Sequence, residues 1–403
     1  MNIATMRMID RWAGMPVCAG LTLVDRLAAR RRPAGPPRNV LIIQLSEMGS
    51  LALAYPSVRE IQRRWPLARV HFLVFKRNRA FLSLLNVVAE EDIWTIDDAS
   101  AGAFLRSCRE FRRKARARRI DTALDYEIFS RASMILSWLS GASRRAGFYN
   151  YRAEGLYRGS LLTHPVFYNV YKHISLNFIA MARALAQERP EQPCLKEVIQ
   201  ADLTLPRRVT PPDRAQAMRA RVRELFPALN DSTRIVVLSP FSGNLLPIRA
   251  WPPGHYVDFI RGLLERTTDT IALVIGLPEA RDYCRPIFEA VNSPRLVDFI
   301  GRTRDIGEVV DLFNISHLLV TTDSGPPHFA AMTGLPAIVM FGPECPMLYG
   351  PLGANIECVF LGMSCSPCVS AFNHRNTPCD NNRCVQEISP AMILEMALSK
   401  LAR

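Results

Sequence analysis

Short apolar runs alternate along this chain with segments whose apolar residues recur every three or four positions. Val40-Leu41-Ile42-Ile43 is apolar at consecutive positions, as a strand covered on both faces requires. Val58, Ile61 and Trp65 then mark one side of a helix, and Val70 to Phe75 reads as a second strand. Residues 101–118 and 131–139 read as helices on either side of a strand at 120–125. The stretch 204–214, with Pro206, Pro211 and Pro212, breaks this rhythm. A second series begins at Arg234 to Leu238 and continues with strands at 270–275, 317–321 and 336–341. Repeated strand–helix units imply parallel sheets with helices on both faces. The expected architecture is α/β, with two Rossmann-like domains facing a central cleft, one over 39–205 and the other over 206–403.

Residues 1–38 stand apart. Trp12 to Val24 is an uncharged run flanked by Arg7, Asp10 and Arg11 before it and by Asp25, Arg26 and Arg30-Arg31-Arg32 after it. Thirteen residues fall short of the roughly 20 that cross a bilayer. They suit an amphipathic, membrane-associating helix lying in the headgroup region, with Trp12, Met15, Val17, Leu21 and Leu23 turned inward and the arginines on anionic lipid. The plainer reading is an extra helix packed on the protein.

Charge sharpens this picture. Residues 1–200 carry 31 Lys and Arg against 17 Asp and Glu, whereas the remainder carries 19 against 20. The excess of +14 lies in the first half and calls for an anionic partner there. No nucleic-acid-binding signature accompanies it, so an anionic membrane surface is expected and nucleic acid is not. The basic run Arg106 to Arg119 fits either a solvated helix face or the same membrane surface. Ten cysteines and no cleavable signal of the usual form point to a reducing compartment, the cytoplasm by default.

The chemistry gathers at strand ends. Leu318-Leu319-Val320 runs into Thr321-Thr322-Asp323-Ser324-Gly325-Pro326-Pro327-His328, then an Ala-rich segment, Gly334-Leu335-Pro336, and a strand ending Phe341-Gly342-Pro343. A helix opening at the carboxyl end of a parallel strand turns backbone N–H groups toward the crevice where such folds bind anions, and a diphosphate is the expected ligand. A tight turn capped by Asp323 and Ser324 is the structural alternative.

These residues resemble the signature of glycosyltransferase family 9, the ADP-heptose:lipopolysaccharide heptosyltransferases. Leu45-Ser46-Glu47-Met48-Gly49-Ser50-Leu51 resembles that family's first glycine loop, and Arg63-Arg64-Trp65-Pro66, Asp125 with Arg131, Gly147-Phe148 and Arg249-Ala250-Trp251-Pro252 match in order. The likeness runs from about residue 39 to 402. It implies a GT-B fold whose first domain holds the acceptor and whose second holds a nucleotide-diphosphate sugar, with inversion at the anomeric carbon and no metal or other cofactor needed for catalysis. Arg249 then stands where the family has a phosphate-binding lysine, and Glu279 where it has a carboxylate near the nucleotide. Ser242, Asp323, Ser324, Gly325, His328, Gly342 and Pro343 complete the expected donor side. Gly49, Ser50, Asp125, Glu127 and Arg131 form the expected acceptor side.

One departure bears on catalysis. The family places an aspartate, the expected base, directly after the loop glycine; here that position is Ser50, whose hydroxyl is far too weak a base. Glu47 in the same loop is the replacement expected, with Asp125 and Glu127 behind it. Cys365-x-x-Cys368, Cys379 and Cys384 form a second open feature, compatible with a structural zinc, a disulfide or free thiols. The expected function is inverting sugar transfer to a cell-envelope glycolipid or saccharide by an enzyme peripheral on the inner face of the cytoplasmic membrane. A catalytically inactive sugar-nucleotide or glycan-binding protein of the same fold is the rival. A dehydrogenase is disfavoured because no Gly-x-Gly-x-x-Gly follows a strand.

Overall fold

A computed structural model describes residues 3–28, 35–149, 157–187, 195–243 and 246–402. Arg30-Arg31-Arg32 lie outside the described residues. The chain divides into two units, Met1–Leu203 and Thr204–Arg403, each built around its own parallel sheet.

The first unit opens with helices α1 (Ile3–Trp12) and α2 (Gly14–Leu27), so the uncharged N-terminal run is divided between two helices at Ala13. There follow β1 (Asn39–Ile43), α3 (Met48–Arg64), β2 (Arg69–Phe75), α4 (Arg79–Leu85), β3 (Ile93–Ile96), α5 (Ala101–Ala117), β4 (Thr122–Asp125), α6 (Arg131–Leu139), β5 (Arg144–Tyr149), β6 (His164–Phe167) and α7 (Ile174–Ala184). The strand order is β3-β2-β1-β4-β5-β6, parallel throughout. Val40 to Ile43 are fully buried, as the apolar run requires. The basic residues of α5 line its exposed side, while Ser107, Phe111 and Ala115, one turn apart, face the core.

The second unit contains α8 (Pro212–Leu225), β7 (Arg234–Ser239), α9 (Pro253–Arg266), β8 (Thr270–Val274), α10 (Arg281–Val291), β9 (Leu296–Asp298), α11 (Ile306–Asn314), β10 (Leu318–Thr322), α12 (Pro326–Ala330), β11 (Ala337–Phe341), α13 (Pro346–Tyr349), β12 (Ile356–Phe360), α14 (Arg383–Gln386) and α15 (Pro390–Leu401). Its order, β12-β11-β10-β7-β8-β9, repeats the first sheet's topology. In each unit the order reverses beside the first strand, between β1 and β4 and between β7 and β10. At such a point the two flanking connections leave for opposite faces and open a crevice at the strands' carboxyl ends.

The α1–α2 segment is part of the first unit and is nearly continuous, the Ala13 N–H donating to the Ile9 carbonyl at 2.9 Å and the Val17 N–H to the Ala13 carbonyl at 3.3 Å across the break. Gly14, Cys18 and Thr22 of α2 are buried, with Cys18 packed on Met134 and Leu161. A Cβ on Gly14 would meet the Cβ of Arg131 at 2.7 Å, so glycine is needed for this approach. No helix among the described residues is long and apolar enough to cross a membrane.

Candidate active site

In the first unit the site residues come from the loops after β1 and β4. Glu47 begins α3 with φ of 56°, a left-handed conformation that costs energy in a non-glycine residue and marks a constrained loop. Ser50 closes the turn twice, its N–H donating to the Glu47 carbonyl at 3.0 Å and its hydroxyl to Glu47 Oε2 at 3.3 Å. The carboxylate of Glu47 thus reaches the side chain at the position after Gly49.

The other two carboxylates are engaged. Glu127 accepts from the Ser46 N–H at 2.7 Å and from the Ser46 hydroxyl at 2.8 Å. Burial pushes its carboxyl up, against the lowering effect of those bonds. Asp125 is fully buried and paired with Arg158 at 2.8 Å. Burial outweighs that attraction and lifts its carboxyl to about 6. Arg131, expected to face the acceptor, is instead buried: its Nε donates to the Tyr157 carbonyl at 2.8 Å and its Nη1 lies 3.3 Å from Asp10 of α1. Asp125 and Arg131 therefore belong to the framework beneath the loops rather than to a surface that a substrate touches.

In the second unit the β7 and β10 loops meet through Arg249, in a short 3-10 turn. Its Nη1 lies 3.3 Å from Asp323 Oδ2 and its Nη2 donates to the Ser242 carbonyl at 3.3 Å, while its buried Nε has no hydrogen-bond partner. Asp323 is raised by burial and lowered by Arg249. The helix that follows supplies fewer donors than the sequence suggests. It is only five residues long, and its first two, Pro326 and Pro327, have no N–H; His328, buried in the same turn, donates its own N–H to Gly325. The turn's remaining amides are those of Ser324 and Gly325, and the Ser324 hydroxyl is spent on the Thr322 carbonyl at 2.9 Å. Arg249 thus brings to this crevice a positive charge that the helix start does not supply. Glu279 lies exposed in the loop after β8, at the same edge of the sheet.

Glu344, which the sequence reading passed over, directly follows Gly342 and Pro343. It is 3% exposed, its Oε2 has no hydrogen-bond partner, and burial with the Asp323 charge beside it lifts its carboxyl to about 8 against the pull of Arg249. Arg375 Nε lies 3.4 Å from its Oε1, longer than a charge-assisted hydrogen bond of about 2.7–2.9 Å, and does not offset the burial.

The cysteine-rich loop holds this edge in place. The N–H groups of Cys368 and Val369 donate to the Pro343 carbonyl at 3.0 Å, the Ser366 hydroxyl donates to Gly342, and Asn382 donates to the carbonyls of Ile248 and Ala250 on either side of Arg249. A Cβ on Gly342 would meet Val385 at 2.3 Å and Cys384 Sγ at 2.9 Å, which leaves room only for glycine. Burial raises the Cys384 thiol, and the charges Cys368, Cys379 and Cys365 would carry raise it further, so the four sulfurs share one neighbourhood. Among the described residues no three His, Cys, Asp or Glu groups are arranged to hold a metal ion, and Cys365, Cys368, Cys379 and Cys384 are free cysteines.

A family model, glycosyltransferase family 9 (heptosyltransferase), matches residues 108–377. A lipooligosaccharide heptosyltransferase 2 of Campylobacter jejuni is 24% identical over 132 residues, 32% of this chain and 40% of that protein. The alignment thus spans under half of that curated relative. The solved structure of Escherichia coli ADP-heptose lipopolysaccharide heptosyltransferase II superposes with a TM-score of 0.67 at 19% identity, over 90% of this chain and 98% of that one. A glycosyltransferase family 9 structure from Veillonella parvula gives 0.68 at 16%, over 91% and 97%. At these identities the two structures establish the fold alone.

Proposed function

The chain belongs to glycosyltransferase family 9, and from that premise we propose that it transfers a glycosyl group, with inversion, from a nucleotide-diphosphate sugar to a cell-envelope glycolipid or saccharide at the cytoplasmic face of the membrane. The observation that carries this reading is Arg249, held between Ser242 and Asp323 at the β7/β10 switch point with one guanidinium N–H unused.

The acceptor oxygen forms a bond to the sugar's C1 as the bond from C1 to the diphosphate oxygen breaks. The electron pair leaves with the diphosphate, where Arg249 meets the developing charge. The acceptor's hydroxyl proton goes to a carboxylate, and we assign that role to Glu47, whose Oε2 accepts from Ser50 at the position of the family's expected base. Glu279 and Asp323 remain as acceptors for donor hydroxyls. The C-terminal unit serves as the nucleotide-sugar side and the N-terminal unit as the acceptor side.

Ser50, in place of the family's aspartate, favours one second reading, a sugar-nucleotide or glycan-binding protein without turnover. A screen of nucleotide-diphosphate sugars, scored both for thermal stabilisation and for nucleotide release with lipid-linked saccharide acceptors, separates the two. Stabilisation with release supports the transferase; stabilisation without release supports the binding protein; neither response from any donor overturns both.

A further inference from the structure

The α1–α2 segment turns its charged aspartates inward and most of its large apolar side chains outward. A helix added to a domain for stability normally buries its apolar stripe and leaves its charges in water. Here the aspartates point inward. Asp10 Oδ1 accepts the backbone N–H groups of Arg131 at 3.0 Å and Ala132 at 2.8 Å, and its Oδ2 lies 3.3 Å from the Arg131 guanidinium. Asp25 Oδ2 accepts from Arg145 at 2.7 Å, and its Oδ1 from the Trp138 indole at 3.0 Å. Thr22 accepts the Ser160 N–H at 3.0 Å.

Apart from Cys18 and Leu21, which pack on the domain, most of the large apolar residues face out. Met8, Ile9 and Trp12 of α1 and Val17, Leu23, Val24 and Leu27 of α2 are all exposed, Trp12 at 69%, Leu23 at 60% and Leu27 at 78%. On α2, Val17, Val24 and Leu27 recur at seven- and three-residue spacing along one stripe, opposite Cys18 and Asp25. With both aspartates committed to arginines of the domain, the charges shown outward by the described side chains of α1 and α2 are Arg11 and Arg26, both exposed. Arg11 also lies over the Trp12 ring at 5.8 Å. An apolar stripe with an indole and flanking guanidiniums matches the headgroup boundary of an anionic membrane. The uncharged stretch Trp12–Val24 extends only about 20 Å as helix, too short to cross the hydrocarbon.

We propose that the outward face of the α1–α2 segment docks in the plane of an anionic lipid bilayer, held to the acceptor domain by Asp10 and Asp25. The inference deepens the glycolipid reading by naming the surface that meets the membrane. It is tested without donor or acceptor, so it fails or stands apart from turnover.

Removing residues 1–38 is the wrong test, because it would strand the buried Arg131 and Arg145 guanidiniums. The full chain is instead co-sedimented with vesicles of 7:3 phosphatidylcholine:phosphatidylglycerol and of phosphatidylcholine alone. The parent should bind the anionic vesicles. The exposed triple change Trp12→Ser, Leu23→Ser, Leu27→Ser should lower partitioning at least tenfold at an unchanged melting temperature, and Arg11→Gln with Arg26→Gln should weaken binding to the anionic vesicles only. As a check that cannot be confused with unfolding, brominated lipid should quench part of the parent's tryptophan fluorescence, and Trp12→Phe should remove that part. No vesicle binding by the parent, equal binding by the triple variant, or a parent dimer by light scattering that the triple change makes monomeric would overturn the proposal. The last result would assign the face to a second copy of the chain.

Discussion

Ser50 donates its hydroxyl to the Glu47 carboxylate across the first turn of α3, Oγ to Oε2 at 3.3 Å. The position where the family resemblance implies an aspartate is therefore in contact with a carboxylate from three residues earlier. Glu47→Gln should keep the loop and the donor affinity while lowering kcat by on the order of 10²- to 10⁴-fold, the usual contribution of a general base. Ser50→Asp in the Gln background should restore part of the rate. Parental kcat in Glu47→Gln, measured by nucleotide release with a turned-over acceptor, would remove Glu47 from the reaction.

On the donor side, Arg249→Ala should weaken nucleotide-diphosphate binding by about 1.5–3 kcal/mol, the range for a charge-assisted contact. That is roughly a 10- to 150-fold rise in Kd. Arg249→Lys should recover part of the loss, since the charge is kept and only the second contact is given up. Titration calorimetry with ADP, UDP and GDP checks this; equal affinity in parent and Arg249→Ala for a nucleotide that the parent binds would move the site elsewhere.

The docking of α1 is open to a stability test. Asp10 caps the first turn of α6 from another helix and neutralises a guanidinium that is 2% exposed. Asp10→Ala should cost about 2–4 kcal/mol, between the loss of a cap and the loss of one partner of a buried pair, because Arg131 retains the Tyr157 carbonyl. Asp10→Asn should cost less, since one acceptor oxygen survives. Urea unfolding midpoints at constant m-value give the comparison, and a change below about 0.5 kcal/mol would show that α1 contributes nothing to the domain.

The sequence exposed the fold most clearly where burial is two-sided. β1, β7, β10 and β11 are apolar at nearly every position because both faces are covered, and each could be read from composition alone. β3 and β9, four and three residues long at the sheet edges, have too few positions for any period to show. β5 begins with Arg144-Arg145, which a hydrophobic pattern rejects; the strand tolerates Arg145 because its guanidinium is received by Asp25, 120 residues away in the chain, and by the Leu161 and Ala142 carbonyls. The pairing of Arg131 with Asp10, 121 residues apart in the chain, is equally invisible to a local pattern. The shortage of donors at α12, by contrast, was legible throughout, since two consecutive prolines supply no N–H wherever they fold. Glu344 could not be found by spacing, because its character comes from burial beside Asp323.

That burial gives Glu344 a pH signature. Its carboxyl is raised from 4.5 to about 8, so the folded protein holds the proton more tightly than the unfolded chain does. The stability this contributes is fully present below pH 4.5 and is lost as pH rises through 8. Glu344→Gln places a neutral group of the same shape at the position and removes that dependence. The melting temperature of the parent, relative to the variant, should therefore fall between pH 6 and pH 9, and groups unaffected by the substitution cancel in the difference. Donor binding should follow the same course. Deprotonating Glu344 sets a second negative charge beside Asp323 where the diphosphate meets Arg249, so parental affinity should decline above about pH 8 while the Gln variant keeps its own. A melting difference that stays flat across pH 6–9 would mean that Glu344 is already ionised at neutral pH, with Arg375 drawn in to pair with it.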